Sequence, residues 1–130
     1  MIVKLTVKDM VQLLEPKGVQ LISGKTGLSN RISFVHLMFN KESLNISTKE
    51  YLILIPFNLF GNNVEIQKGF IRHFYESGSA GIGMKLQLGE VLSKEIIQLA
   101  DSLNFPLFEI PFELALSDVM NEVNISIFDK

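Results

Sequence analysis

The chain has 130 residues, 47% of them hydrophobic and 20% charged, and a net charge of −2. This size fits one domain with its own core. The absence of Cys excludes disulfides and Cys-based zinc or thiol chemistry. The slight negative charge argues against an intrinsic nucleic-acid binder. No apolar run approaches the roughly 20 residues that cross a bilayer and the N-terminus lacks a secretion signal, so we expect a cytoplasmic protein without membrane contact.

The first fifty residues predict one helix and two short strands. Thr6 and Asp9 form a capping-box pattern ahead of apolar residues at helical spacing, and Pro16 with Gly18 ends this helix. Apolar segments predict strands at 19–22 and 31–38. The loop between them, residues 24–30, is rich in turn-forming residues.

From Tyr51 onward, predicted strands and helices alternate. The segment Tyr51–Ile55 is uniformly apolar, which is typical of a strand covered on both faces in a parallel sheet. Asn62 or Asn63 is predicted to cap the next helix, and Asn104 to end the helix after it in a left-handed conformation. The segments are strands at 51–55, 80–86 and 105–111 and helices through 66–74 and 91–103. This βαβαβ order predicts the α/β class, a mostly parallel sheet flanked by helices in a single compact domain.

The C-terminal segment predicts a further helix, which Ser117 is expected to cap. No helix-stop signal precedes the end of the chain, and Ile127 and Phe128 are expected to be exposed there. We therefore expect a shortened chain, or a helix that leads into a downstream region absent from this sequence. The predicted division is a regulatory domain at 1–116 and a helix at 117–130.

Motifs that would indicate catalysis are weak. Ser23–Thr26 resembles the end of a phosphate-binding P-loop, but the first Gly of that motif would fall on Val19, inside the predicted strand. The glycine-rich run Gly78–Gly83 leads into a strand, whereas a dinucleotide fingerprint follows one. His36 and His73 stand alone, without further ligands at zinc spacing. We expect no enzyme, no cofactor and no metal site; a small hydrolase that depends on His36 is an alternative.

Five segments form a recognisable series when taken together. Gly27–Ile32 has the pattern Gly-Leu-x-x-x-Ile, Phe34–His36 is an aromatic-Val-His strand, and Glu50–Ile53 begins with Glu followed by apolar residues. Ala80–Leu86 and Ala100–Pro111 are more specific, because the second joins a helix ending in Ala-Asp-x-Leu to the strand Pro-Leu-Phe-Glu-Ile-Pro. The series resembles the N-terminal domain of the purine-catabolism regulator (PucR) family of bacterial transcription factors.

The resemblance runs from about Leu5 to Val119 and implies a role in signal input. In that family the domain begins a longer chain whose C-terminal end carries a helix-turn-helix, so DNA would be bound only outside this sequence. The resemblance implies a metabolite-sensing or dimerisation domain of a regulator of purine or nitrogen-compound catabolism. The turn and first strands are also similar to the N-terminal domain of HPr kinase and of the muramyl ligases, a module remote from their catalytic machinery.

The chain departs from the family pattern after two strands. Leu54–Pro56 stands where the family usually has Thr-Thr-Gly, and Leu37–Phe39 occupies a region that usually holds an acidic residue. We therefore predict an apolar interaction surface of Phe57, Leu59 and Phe60, for a protein partner or for the same domain in a homodimer. The alternative function is a purely structural interaction module that binds no small molecule.

The candidate ligand-binding residues follow from a rule for open α/β sheets, which bind ligands beyond the carboxyl ends of their strands. Lys85 matches the family and is a cation at a strand end, suited to a small anionic metabolite. The alternative for Lys85 is a solvated side chain that closes an edge of the sheet. His36 and Glu50 are predicted as further polar partners of the ligand.

Overall fold

The computed structural model describes residues 5–40, 47–61 and 63–128; the side chains of Asn58 and Phe60 lie outside this description. The strands are β1 (Leu5–Thr6), β2 (Gln20–Ser23), β3 (Arg31–Ile32), β4 (Phe34–Leu37), β5 (Tyr51–Pro56), β6 (Gly81–Lys85) and β7 (Leu107–Ile110). The helices are α1 (Val7–Leu14), α2 (Val64–Glu76), α3 (Lys94–Ser102) and α4 (Leu116–Phe128). Single 3₁₀ turns are found at Glu15–Lys17, Lys25–Gly27 and Phe57–Phe60.

Five of the strands form one sheet in the order β2-β7-β6-β5-β4. Strands β4 to β7 are parallel to their neighbours, and β2 is antiparallel to β7. The short strands β1 and β3 form a separate antiparallel pair. The predicted α/β class with a mostly parallel sheet is confirmed, and so is the βαβαβ order from Tyr51 onward.

Helices cover both faces of the five-stranded sheet. On one face α2 and α3 contribute Phe74 and Ile96 to a buried apolar cluster, and on the other face α1 and α4 contribute Met10 and Val123 to a second cluster. The residues Leu52–Ile55 of β5 are at most 1% exposed, because β5 lies between the two clusters. The fold is therefore a three-layer sandwich of helices, sheet and helices.

Three of the predicted helix boundaries are confirmed by hydrogen bonds or by backbone conformation. The N–H of Thr6 donates to Asp9 Oδ2 over 3.0 Å and the N–H of Asp9 donates to Thr6 Oγ1 over 3.3 Å, which completes the capping box of α1. Asn63 caps α2 by accepting a hydrogen bond of 3.1 Å from the N–H of Ile66. Asn104 has a φ of 53°, the predicted left-handed conformation after α3.

Several predicted boundaries differ from the structure. The helix predicted at 91–103 begins at Lys94, because Ser93 caps it, and the strand predicted at 105–111 is Leu107–Ile110. The single strand predicted at 31–38 is divided at Ser33, whose N–H donates to the carbonyl of Glu50, so that β3 pairs with β1 while β4 pairs with β5. Helix α4 begins at Leu116, so the prediction that Ser117 caps it was wrong. Leu116 and Val119 of α4 are buried in the second apolar cluster. The division of the chain at residue 117 stays a prediction.

Candidate functional site

A cleft of about 590 Å³ opens where the parallel strands begin, at what is termed below the amino edge of the sheet. The start of β3 and the loops that precede β5, β6 and β7 border it together with the C-terminal end of α2. Its volume lies within the range of roughly 300–1,000 Å³ that is typical of small-molecule sites. Two cationic, two acidic and three other side chains give it chemical character; they are Arg31, Lys49, Glu50, Glu76, Asn30, Tyr75 and Asn104.

Glu50 is the best-fixed ionisable residue of the cleft. Its φ of 62° is left-handed, a conformation that side chains other than glycine adopt rarely. Hydrogen bonds hold it there, because its N–H donates to the carbonyl of Gly78 and its carbonyl accepts from the N–H of Ser33, both over 2.9 Å. The hydroxyl of Ser33 also donates to Glu50 Oε1 over 2.6 Å. The carboxylate is therefore preorganised at the cleft wall.

Buried polar contacts join the loops that form the cleft. The hydroxyls of Thr48 and Ser79, which are 0% and 6% exposed, share a hydrogen bond of 2.7 Å between the loops before β5 and β6. The side-chain amide of Asn30 donates to the carbonyl of Ala80 over 3.3 Å. Because paired polar groups that are shielded from water hold their geometry strongly, these contacts make the cleft a fixed feature of the fold.

The open side of the cleft carries charge and an aromatic wall. Arg31 and Lys49 are exposed, and neither forms an ion pair with another residue of the described part of the chain, where the ion pairs lie elsewhere. The ring of Tyr75 stands edge-on to that of Phe105, with 6.1 Å between the ring centroids. Cations, a fixed carboxylate and aromatic surface together suit a small polar molecule with anionic or carbonyl groups.

The structure separates the predicted ligand-binding residues. Lys85 ends β6 and pairs with Pro56, the last residue of β5, whereas Glu50 immediately precedes Tyr51, the first residue of β5. Six residues at about 3.3 Å each place Lys85 and Glu50 roughly 20 Å apart, at opposite edges of the sheet. Of the predicted residues, Glu50 is the one that lines the amino-edge cleft.

His36 lies apart from both edges, on the outer strand β4 of the sheet. It pairs with Ile53 in the middle of β5, and its ring centroid is 6.4 Å from that of Tyr51. Its Nε2 is buried without a hydrogen-bond partner among the described residues. Burial lowers the pKa of His36, because desolvation disfavours the imidazolium.

The predicted apolar surface follows β5, and its two described side chains are not strongly exposed. Phe57 is 8% exposed and belongs to the core, and Leu59 is half-buried against the same core. The side chain of Phe60 lies outside the described residues. Strongly exposed apolar side chains instead follow the other parallel strands, at what is termed the carboxyl edge. They are Phe39 after β4, Leu88 and Val91 after β6, and Phe112 after β7, and these four form the carboxyl-edge surface.

Sequence reasoning missed the amino-edge cleft because the rule for open α/β sheets directed attention to the carboxyl ends of the strands. A signal was nevertheless present. Arg31, Lys49 and Asn104 all stand within three residues of the start of a strand, where parallel strands share an edge. The four residues of the carboxyl-edge surface were not predicted as exposed, although each lies within six residues of the end of a strand.

The loop that resembles a P-loop forms a hydrogen bond with a carboxylate of the protein itself and packs closely against another segment. The N–H of Gly24 donates to Asp101 Oδ1 over 2.9 Å, so this donor is already bound to a carboxylate. A Cβ at Gly24 would overlap the backbone of Phe105, and one at Gly27 would lie 2.9 Å from the carbonyl oxygen of Asn104. The two glycines therefore let the loop pack against the segment between α3 and β7.

The part of the chain that the structure describes has neither a metal site nor a membrane-spanning helix. Within it, no three His, Asp or Glu side chains lie together as a metal site would require. The described helices include none with the length and apolarity to cross a membrane.

The chain is thus a three-layer α/β domain with a polar cleft at the amino edge of its sheet. The chain belongs to the purine catabolism regulatory protein-like family, whose sequence model matches residues 9–127. It is 29% identical over 127 residues to a purine catabolism regulatory protein of Bacillus subtilis (strain 168). That alignment covers 96% of this chain and 24% of the relative, so the chain spans about a quarter of the relative's length. The resemblance inferred from the sequence is confirmed.

Proposed function

We propose that this chain is the signal-input domain of a transcription regulator of purine catabolism, and that it acts in the cytoplasm without catalysing a reaction. Family membership and the name of the relative support the regulatory role. The observation that carries the sensing role is the amino-edge cleft, whose polar groups are held by buried hydrogen bonds. DNA binding would belong to a helix-turn-helix outside this sequence.

The proposed ligand is a small metabolite with anionic or carbonyl groups. Arg31 and Lys49 would bind its anionic groups, Asn104 would exchange hydrogen bonds with its carbonyl or amide groups, and Tyr75 would pack against its apolar surface. Glu50 would accept a hydrogen bond from an N–H of the ligand. Lys85 and His36 lie outside this site, so we assign them no contact with this ligand.

The proposed signal leaves the cleft through β5 and α4. Glu50 borders the cleft and leads directly into β5, and α4 packs on β4 and β5 through Leu116, Val119 and Val123. A ligand that binds only the folded cleft stabilises these contacts by mass action. Binding would therefore change the stability of the layer that carries α4, the last helix of the chain.

Thermal melting with a panel of anionic and neutral purine-catabolism intermediates tests this proposal. At a concentration of about 100 times the Kd, a true ligand stabilises by about 2.7 kcal/mol, which raises the Tm of a domain of this size by roughly 10 °C. Arg31→Ala and Lys49→Ala should each weaken binding about tenfold, because each removes a charge-assisted hydrogen bond. Lys94→Ala removes an exposed cation distant from the cleft and should leave binding unchanged. A panel without any Tm shift, or a shift that both cleft variants retain, would contradict ligand sensing.

The second candidate function is a purely structural interaction module that binds no small molecule. The observation that favours it is the carboxyl-edge surface, where four large apolar side chains are between 49% and 81% exposed. A flat ligand screen combined with self-association of the chain would select this function over sensing.

A further inference from the structure

Two of the four side chains of the carboxyl-edge surface are next to a buried residue. Phe39 is 64% exposed and follows Met38, which is fully buried in the core. Val91 is 77% exposed and precedes Leu92, which is 7% exposed in the same core. Because the neighbouring residue is fixed by packing, the side chains of Phe39 and Val91 are held in place.

The parallel topology brings the four side chains to one side of the domain. β4, β6 and β7 run in the same direction, so the loops that follow them leave the sheet at the same edge. Neighbouring strands lie about 4.8 Å apart, and the order β7-β6-β5-β4 spans about 15 Å. Phe112, Leu88, Val91 and Phe39 therefore belong to one surface.

The area of this surface matches what a stable dimer requires. A fully exposed apolar side chain of this size presents roughly 150–200 Å² to water. Multiplied by the exposed fractions of the four residues, this gives on the order of 450 Å² of exposed apolar surface. A standard interface buries about 800 Å² on each partner, of which about 56–65% is apolar. The four residues supply that apolar share.

The charges at the rim favour a second copy of the same surface. Lys85 ends β6 and Glu113 follows Phe112, and neither forms an ion pair with another described residue. In a two-fold dimer each surface meets itself, so the cation of one copy can approach the carboxylate of the other twice. A single-sign rim would repel its own copy instead.

We propose that the carboxyl-edge surface binds the same surface of a second copy of this chain, forming a two-fold symmetric homodimer. The proposal is independent of ligand sensing, since the amino-edge cleft lies at the opposite edge of the sheet. Leu88 and Val91, which follow β6, are the central contacts of the interface, with Phe112 and Phe39 at its two ends. The ligand-binding cleft stays open to solvent in this dimer.

Sedimentation velocity over a dilution series tests the proposal. The unmodified chain should sediment as a dimer, and Leu88→Asp and Phe112→Asp should each raise the dimer dissociation constant at least about tenfold, because a buried charge would replace an apolar contact. Both side chains are exposed in the monomer, so the variants should keep the circular dichroism spectrum of the unmodified chain, which confirms that their fold is intact. Loss of the dimer should lower their Tm only at concentrations where the unmodified chain is dimeric.

Phe128→Asp is the matched control, since Phe128 is 79% exposed at the end of α4 and should not affect the dimer. A dimer that Leu88→Asp and Phe112→Asp leave intact would overturn the proposal and place the interface elsewhere. A chain that stays monomeric at every concentration would also overturn it and leave this surface to a different protein partner.

Discussion

At the scale of single residues, two glycines with a positive φ differ in the space that a Cβ atom would find. Gly24 has a φ of 73° and stands against the backbone of Phe105, while Gly89 has a φ of 84° with nothing near the position of its Cβ. Both glycines adopt a conformation that other residues reach only with strain, and Gly24 alone of these two is also confined by a neighbour. The pair separates backbone strain from steric overlap.

Gly24→Ala is expected to destabilise the domain by about 3 kcal/mol or more, because the new methyl group forces the loop away from the segment before β7. Gly89→Ala should cost only about 1 kcal/mol, which is the backbone strain by itself. Urea unfolding of both variants measures the difference in free energy of unfolding. Equal losses in the two variants would show that the close approach at Gly24 contributes nothing.

His36 predicts a dependence of stability on pH. Burial lowers its pKa in the folded state, whereas in the unfolded chain the pKa stays near about 6.5. Below that pH the unfolded state binds more protons than the folded state, so His36 supports stability at neutral pH and this contribution is lost as the pH falls. The free energy of unfolding is therefore expected to fall more steeply between pH 7 and pH 5 in the unmodified chain than in a variant that lacks His36.

The measurement is urea unfolding between pH 7 and pH 5 for the unmodified chain and for His36→Gln. The carboxylates titrate in both proteins, so the difference between the two slopes isolates His36. Two parallel curves would contradict a lowered pKa at this residue.

At the scale of elements, α2 contains a feature that local propensity does not explain. Gly69 lies inside this helix, where glycine is unfavourable, and a Cβ built on it meets nothing within 4 Å. The amphipathic pattern still forms the helix, because Phe70, Ile71 and Phe74 are buried against the sheet. Tertiary packing therefore compensates for a weak position.

Gly69→Ala is expected to stabilise the domain by about 0.5–1 kcal/mol, since it reduces the conformational entropy of the unfolded chain without any clash. The Tm from thermal melting measures the gain. Gly81→Ala is the control, because its Cβ would lie 2.9 Å from the carbonyl oxygen of Pro106 and should lower the Tm. A lower Tm in Gly69→Ala would contradict this expectation, because it would show that the surface beside Ile66 and Phe70 does not tolerate a methyl group.

At the scale of the whole molecule, the parallel sheet divides the surface into two edges of different chemistry. The amino edge has the polar cleft with Glu50, and the carboxyl edge has the apolar side chains with Lys85 at their rim. A small ligand and a second copy would thus bind at opposite edges. The ligand assay on Arg31→Ala and the sedimentation assay on Leu88→Asp therefore report on separate functions.

The family signature acquires a structural explanation at the same scale. The segments Gly24–Gly27 and Ala100–Pro106 are distant in the sequence, yet Asp101 binds the N–H of Gly24 and the two segments pack against each other. Their joint presence therefore specifies one packed unit of the scaffold. It identifies the domain more directly than it identifies a ligand.

The fold class, the order of the elements and the family could all be predicted from the amino-acid sequence. Periodicity, capping residues and the apolar run at Tyr51–Ile55 act locally, so Thr6, Asp9, Asn63 and Asn104 have the predicted roles. The family followed because its motifs are contiguous segments that can be compared without a structure.

Only the tertiary structure decided which residues share a site. Lys85 and Glu50 looked like partners in the sequence, but the length of β5 separates them by roughly 20 Å. Lys49 and Asn104 come together because parallel pairing brings the starts of β5 and β7 to one edge, and Arg31 reaches the same edge from β3, three residues before β4. Exposure was decided in the same way, since Phe57 turns into the core while Leu88 stays in water. Such proximity depends on strand order and register, and neither is encoded in any single segment of the chain.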